Sequence, residues 1–536
     1  MTPEIRKETD MENIRLLDCT LRDGGYINDW NFGEKTIRSI IDRLIEAKTD
    51  LVEVGFLRNC TYDPDRTLFH SVRELKKVLP SSHGNTKFVA MALHNQYDIR
   101  NLEECDGTVD AVRVTFHDYD AEEGLDFCRK VKEKGYQLFI NPINIMGYRD
   151  QELVKLLKKV SNLEPYGFSI VDTFGSMTKK ELVRIYSLCE NNLDEAIVLG
   201  LHLHENMAQS FLLAQTFLEM KDPRRNCVLD ASLNGMGRVP GNLCLELIMD
   251  YMNRSYGKDY DIDPVLDAIE EYITPIKSRE PWGYMAEYFI SAKYNLHRNY
   301  AEYLLSKGTL TARDMHQILK MLPENKKSAF DPACIEELYQ EYKNQTVSDQ
   351  ASLGSLKQIF EGRAVVLLAP GTSLEYQWDK VKDYIRSQKA IIVSANFYFA
   401  EQEGGFAFFS NAKRFAEYQA LRKQDIHVIL TSNITKGVRP GDDVINYQRL
   451  AMEGEEPSEN CGIMLLRLMS LLKVKEAALA GFDGYTEEGE DYMKGYFGAF
   501  QNAREGDNRK IAGEIRKLQK KIKILFLTPS QYEEAV

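Results

Sequence analysis

The stretch LLDCTLRDGGY, Leu16–Tyr26, starts as an apolar strand and then places Asp18, Thr20, Arg22 and Asp23 ahead of two glycines. A turn accounts for Gly24-Gly25, because glycine tolerates backbone conformations other residues avoid. It does not account for an arginine beside an aspartate. Working outward, seven more short apolar runs follow before residue 250: DLVEVGF, TKFVAMALH, AVRVTFH, QLFINPINI, FSIVDTFG, IVLGLHLH and CVLDASLNGMG. Segments with helical apolar spacing separate them, EKTIRSIIDRLIEAK, LDFCRKVKEKG and TKKELVRIYSLCENN among them. Strands buried on both faces that alternate with helices mean a parallel sheet. Eight such units in about 240 residues fit a closed (β/α)8 barrel. An open doubly wound sheet is the competing reading, but no GxGxxG follows the first run.

The barrel is therefore expected over 12–260, with a helical extension at 261–345 and a polar linker at 346–361 (TVSDQASLGS lies there). The pattern then restarts with GRAVVLLAPGTSLE, KAIIVSAN, FAFFSN, IHVILTSN, EAALAGFDGY and KILFLTPS, which predicts a second, smaller Rossmann-like α/β domain over 362–536. A chain of 536 residues has room for several cores.

The net charge of −13 disfavours a nucleic-acid binder, which needs a basic face for phosphates. No apolar run reaches the length of a membrane span. The leading MTPEIRKETDMEN has no apolar signal core, and the nine cysteines include no CxxC. A reduced cytoplasm is the expected setting.

A barrel of this kind carries its active site at the C-terminal ends of its strands. The runs deliver there Arg22 and Asp23, His94, His117, Asn141 and Asn144, Asp172 and Thr173, His202 and His204, and Asn234, with Glu53 inside the second run. The sharpest feature is His202-Leu203-His204. Residues i and i+2 of a strand face the same way, so two imidazoles converge. They make half of a divalent-metal site; a carboxylate from another strand end would supply a third ligand and leave positions open, and Asp23 is placed to do that. Isolated HxH pairs are commonly surface strand residues; the strand-end position and the Arg-Asp pair favour the metal. Arg22 beside it can stabilise an oxyanion. Glu53, among apolar neighbours, needs a partner such as Arg22 or the outer shell of the metal. Asn144 and Thr173 are the expected substrate-binding residues.

Taken together, D-x-T-L-R-D-G (Asp18–Gly24), VEVGF on the next strand and G-x-H-x-H-x-N (Gly200–Asn206) resemble the DRE-TIM metallolyase, or HMGL-like, group of TIM barrels. VRVTFH and VDTFGSMT match its 4-hydroxy-2-oxovalerate aldolase branch best. The resemblance covers residues 12 to 300. It implies that Asp23, His202 and His204 bind Mn²⁺ or Mg²⁺, that Arg22 stabilises an enolate, and that Asn242 of GRVPGN is a further ligand. It implies a carbon–carbon lyase acting on a 2-oxo acid and an aldehyde, and a homo-oligomer. One departure stands out. The aldolase pattern has a histidine shortly after RDG, where this chain has Gly25-Tyr26. Tyr26, His117 and a metal-bound water remain as proton carriers, although a phenol with its ordinary pKa of about 10 is a poor one. An acyl-CoA lyase or synthase and a non-catalytic scaffold remain as alternatives.

In the second domain, APGTSLE (Ala369–Glu375) reads as a strand-to-helix turn able to hold an anion. VSAN and AGFDGY are similar to a Rossmann-like group that includes sialyltransferase-like and pterin-diphosphokinase-like proteins. That similarity implies a nucleotide or nucleotide-sugar ligand and a place in surface-polysaccharide sugar metabolism.

Overall fold

A computed structural model describes residues 13–238, 240–308, 310–343, 347–451, 460–485, 493 and 505–534. The leading stretch 1–12 and residue 346 of the expected linker lie outside these. Two compact units are present. One runs through Ala301 and takes in Pro323–Phe330; the other comprises Glu302–Leu322 and the chain from Asp331 onward.

All eight expected runs of the first unit are strands: Ile14–Asp18, Leu51–Leu57, Lys87–Leu93, Ala111–Phe116, Gln137–Pro142, Gly167–Asp172, Val198–Leu203 and Cys227–Ala231. Each pairs in parallel with the next. The first pairs with both the second (Leu17 with Leu51) and the eighth (Ile14 with Cys227), which closes a TIM barrel. A two-residue strand, Leu68–Phe69, adds to the outer side of the second. The helix Glu34–Glu46 shows why the connections are helical: Ile37, Ile40, Ile41 and Leu44 recur at i, i+3, i+4 and i+7 and are all buried. After the third strand a 3₁₀ turn, Ile99–Asn101, stands where the other units have a helix.

The barrel interior is layered. Leu17, Leu51, Val89, Ala111, Phe139, Val198 and Val228 form an apolar floor. Two residues further along a strand a side chain points the same way. So Leu51 leads to Glu53, Ala111 to Arg113 and Val228 to Asp230, and His202 comes four residues after Val198. The strands thus place an ionic layer directly above the floor, toward their C-terminal ends.

Gly24 and Gly25 are not in the left-handed region; both have φ near −57°. Gly25 is needed for space instead. A Cβ there would lie 2.0 Å from the Trp30 ring, whose Nε1–H donates to the Arg22 carbonyl at 2.7 Å. Gly25→Ala is expected to displace Trp30 and destabilise the barrel by about 1–3 kcal/mol, read as a lower denaturant midpoint at unchanged slope.

The second unit carries a seven-stranded, all-parallel sheet. The six expected strands are joined by a short edge strand, Asp443–Ile445. The strand order reverses between Ala364–Leu368 and Glu476–Ala480, as in doubly wound folds. Two expectations are corrected here. The stretch expected as a linker holds a helix, Gln350–Phe360, whose Leu356 and Phe360 are buried at i and i+4. Helices Ala312–Lys320 and Pro332–Lys343, expected to extend the barrel, belong to the second unit. There the buried Lys343 ammonium donates to the Tyr447 hydroxyl at 2.9 Å. Among the described residues no helix is long and apolar enough to cross a membrane.

Candidate metal centre

Asp23, His202 and His204 are buried together at the strand ends, with one ligand atom of each lying within 4.8 Å of the others. The seventh strand sends both imidazoles the same way, 5.0 Å apart between ring centres. Each ring is oriented by its other nitrogen. His202 Nδ1 meets the Asp230 carboxylate at 2.9 Å, and His204 Nδ1 meets the Asp172 carbonyl at 2.9 Å. A carbonyl can only accept, so His204 Nδ1 carries the proton and Nε2 turns its lone pair inward. Burial lowers the His202 pKa against the pull of Asp230, which keeps that ring neutral.

The fit to a cation rests on atoms this chain leaves without partners. His204 Nε2 and Asn242 Oδ1 are both buried and accept no hydrogen bond. The amide side of Asn242 is settled, donating to Asp23 Oδ2 at 2.8 Å. Asp23 Oδ1 accepts from Arg22 Nη1 at 2.5 Å. Burial opposes its charge, but the Arg22 guanidinium outweighs that and holds the carboxyl well below the usual range. The donor set of two imidazoles, a carboxylate and an amide oxygen suits a divalent cation with positions left open.

Charge accounting supports the same conclusion. Arg22 Nε donates to Glu53 Oε2 at 2.6 Å, Arg113 lies 3.2 Å from Glu53 Oε1, and Arg113 also pairs with Asp230. Two guanidinium groups face three carboxylates, Asp23, Glu53 and Asp230. With neutral imidazoles the buried cluster carries one net negative charge, which is costly until a cation offsets it.

Of the other expected residues, Thr173 and Asn144 bind each other. The Asn144 N–H donates to Thr173 Oγ1 at 2.7 Å, and its side-chain oxygen accepts from Asn295 at 3.3 Å. Tyr26 packs edge-on to Trp30 at 4.7 Å, under the Arg238 guanidinium at 5.7 Å. His117 stacks on Tyr119 at 4.7 Å, and burial lowers its pKa. Asp172 caps the following turn, accepting from the Ser176 and Met177 N–H groups. Asn234 has φ 49° and its side-chain oxygen accepts from Lys277, so it serves the loop. His94 is paired with Asp120 at 2.8 Å.

Sequence reasoning missed Arg113, Asp230, Arg238 and His297. The first two carried the signal that singled out Glu53, a charge inside an otherwise apolar barrel strand. His297 follows the last barrel strand by more than sixty residues and carried none. It lies 3.3 Å from Arg238 and its pKa is lowered to about 3 by burial and then by that arginine.

The turn at Ala369–Glu375 is already filled. Asp483 accepts from the Ser373 N–H at 2.8 Å and from the Ser373 and Thr372 hydroxyls. A Cβ on Gly371 would lie 2.4 Å from the Gly481 carbonyl. The expected anion cradle is thus occupied by a carboxylate of the chain itself.

A parallel eight-stranded barrel with two histidines and an aspartate converging at its C-terminal mouth defines a TIM barrel with a candidate divalent-metal centre. Residues 13–270 match the pattern of the HMGL-like family. The chain is similar to a 4-hydroxy-2-oxovalerate aldolase of Bacillus cereus, 22% identical over 49% of this chain and 76% of the relative. It is also similar to an oxaloacetate decarboxylase of Mycobacterium tuberculosis, 23% identical over 50% and 78%. Among solved structures, the N-terminal domain of a putative aldolase from Bacteroides vulgatus aligns at 24% identity and TM-score 0.49, covering 55% of this chain and 96% of that one.

Proposed function

We propose that the barrel is a divalent-metal-dependent carbon–carbon lyase that cleaves or forms the C3–C4 bond of a 4-hydroxy-2-oxo acid through a pyruvate-type enolate. The observation that carries this is the buried Asp23–His202–His204 cluster, with His204 Nε2 and Asn242 Oδ1 unpartnered beside the Arg22 guanidinium. The names of the relatives support the same intermediate: retro-aldol cleavage of 4-hydroxy-2-oxovalerate and decarboxylation of oxaloacetate both leave pyruvate enolate.

Asp23, His202, His204 and Asn242 would hold Mn²⁺ or Mg²⁺. When bound, the cation supplies Lewis acidity toward the 2-keto oxygen. Arg22, fixed by Glu53 and Asp23, donates hydrogen bonds to the oxygen on which negative charge develops. His117 takes the proton of the 4-hydroxyl as the C3–C4 bond breaks, being kept neutral by burial. The bond's electron pair passes into the enolate, the aldehyde leaves, and protonation at C3 gives pyruvate. Tyr26 supports the wall through Trp30. Thr173 and Asn144, locked together, shape the floor of the substrate space. In this reading the Cys244 thiol has no part, since burial pushes it up to about 12.

The test is proton exchange on the methyl group of pyruvate in D₂O with Mn²⁺, followed by NMR. Wild-type protein is expected to exchange it. His202→Ala is expected to weaken metal binding by more than about a hundredfold, beyond the loss typical of an outer-shell partner, and to abolish exchange. Protein that binds no Mn²⁺, or exchange unaffected by His202→Ala, would overturn the reading.

A further inference from the structure

Two arginines at the barrel mouth have no acidic partner. In a chain of net charge −13, Arg58 and Arg238 form no ion pair among the described residues, and the Nε of each is buried without an acceptor. Both guanidinium groups lie over the aromatic wall beside Arg22. Arg58 sits 5.1 Å from the Trp30 ring centre and 4.8 Å from that of Phe56, and Arg238 sits 5.7 Å from that of Tyr26. Phe56 also lies 5.7 Å from the Arg22 guanidinium, so this wall is continuous with the metal centre. The Arg238 N–H itself donates to Asp23 Oδ2 at 3.4 Å.

His297 meets a donor at each ring nitrogen: the Asn299 N–H lies 3.3 Å from Nδ1 and Arg238 Nη2 lies 3.3 Å from Nε2. A neutral imidazole accepts at one nitrogen only, so one of these two donors has no lone pair to meet. An anionic oxygen beside Arg238 would supply the missing acceptor and satisfy its buried Nε, and arginine presents its donors in a fork suited to carboxylate or phosphate.

We propose that Arg238, with His297 beside it, is a specificity-determining subsite for a second anionic group of the substrate, carried on the far side of the scissile bond. The aldehyde partner is then itself an anion, a carboxylate or a phosphate. This rests on the 2-oxo-acid reading of the metal centre. Arg58, over the Trp30 and Phe56 rings of the same wall, adds positive potential that draws such a substrate to the mouth.

The test compares binding of 2-oxoglutarate with that of 2-oxobutyrate, by calorimetry on the full chain with Mn²⁺. The first carries a distal carboxylate and the second does not. At least tenfold tighter binding of 2-oxoglutarate is expected, with the ratio falling to about one in Arg238→Ala and partly restored in Arg238→Lys. Condensation of pyruvate with glyoxylate and with glycolaldehyde phosphate, each against glycolaldehyde, tells a carboxylate from a phosphate. Equal affinity for the two oxo acids together with equal rates for charged and uncharged aldehydes would overturn the subsite, as would a preference untouched by Arg238→Ala. Pyruvate exchange in D₂O separates the two proposals. Exchange without discrimination removes the subsite alone, and discrimination without exchange removes the enolate chemistry alone.

Discussion

Arg22→Ala is expected to slow Mn²⁺-dependent exchange of pyruvate protons by about 10²–10³-fold, the loss typical of one oxyanion donor. Arg22 is held at three points: Nε to Glu53, Nη1 to Asp23, and its carbonyl under the Trp30 indole. Such fixing means that little reorganisation is needed when charge develops on the substrate oxygen. Arg22→Lys keeps the positive charge between Asp23 and Glu53 but loses the fork. It is expected to retain Mn²⁺ binding better than Arg22→Ala while recovering little of the rate. Equal exchange rates in wild type and Arg22→Lys would show that charge alone matters. Equal rates in wild type and Arg22→Ala would remove Arg22 from the chemistry.

The second large effect is expected at Arg113, whose side chain is 1% exposed and bridges Glu53 and Asp230. Arg113→Met keeps much of the volume but leaves the buried Glu53 and Asp230 carboxylates without the guanidinium that bridges them. Breaking a buried network by removing one partner costs about 3–5 kcal/mol, roughly 5–8 °C in the melting midpoint of a domain this size. Asp230 orients His202, so the variant is also expected to bind Mn²⁺ about 10–100-fold more weakly. Asp230→Asn separates the effects, since the amide oxygen can still accept from His202 Nδ1. It should weaken the metal while costing less stability. Thermal melts with and without Mn²⁺ read both. A melting midpoint for Arg113→Met within a degree or two of wild type would show that the three carboxylates tolerate the loss.

Part of the site was legible because strand geometry is local. His202 and His204 fall two apart on a strand, and the period of two aims them together whatever the surroundings. The same rule made Glu53 conspicuous, and applied evenly it would also have found Arg113 and Asp230. Gly25 was legible as special but not for its reason. Its backbone is ordinary helix, and what excludes a side chain is the Trp30 ring folding back five residues later. The anion cradle at Ala369–Glu375 looked open because Asp483, more than a hundred residues away, is its occupant. The expected linker looked open for another reason. Its polar composition hid the short apolar stripe of Leu356 and Phe360, and that stripe became a helix because a core was there to receive it.

By itself, then, the amino-acid order determined the eight-fold alternation of strand and helix, the second parallel domain, and the metal-type donors at strand ends. Each depends on spacing within a few residues. Closure of the barrel decided the rest. It brought Glu53, Arg113, Asp230 and His202 from four strands, and Arg22 from the turn after a fifth, into one buried ionic layer, and it set Arg238 beside His297 with its Nε left without an acceptor. Those juxtapositions depend on which distant segments share the mouth of the barrel, and burial there is what turns an unpaired donor or an excess charge into a demand for a ligand.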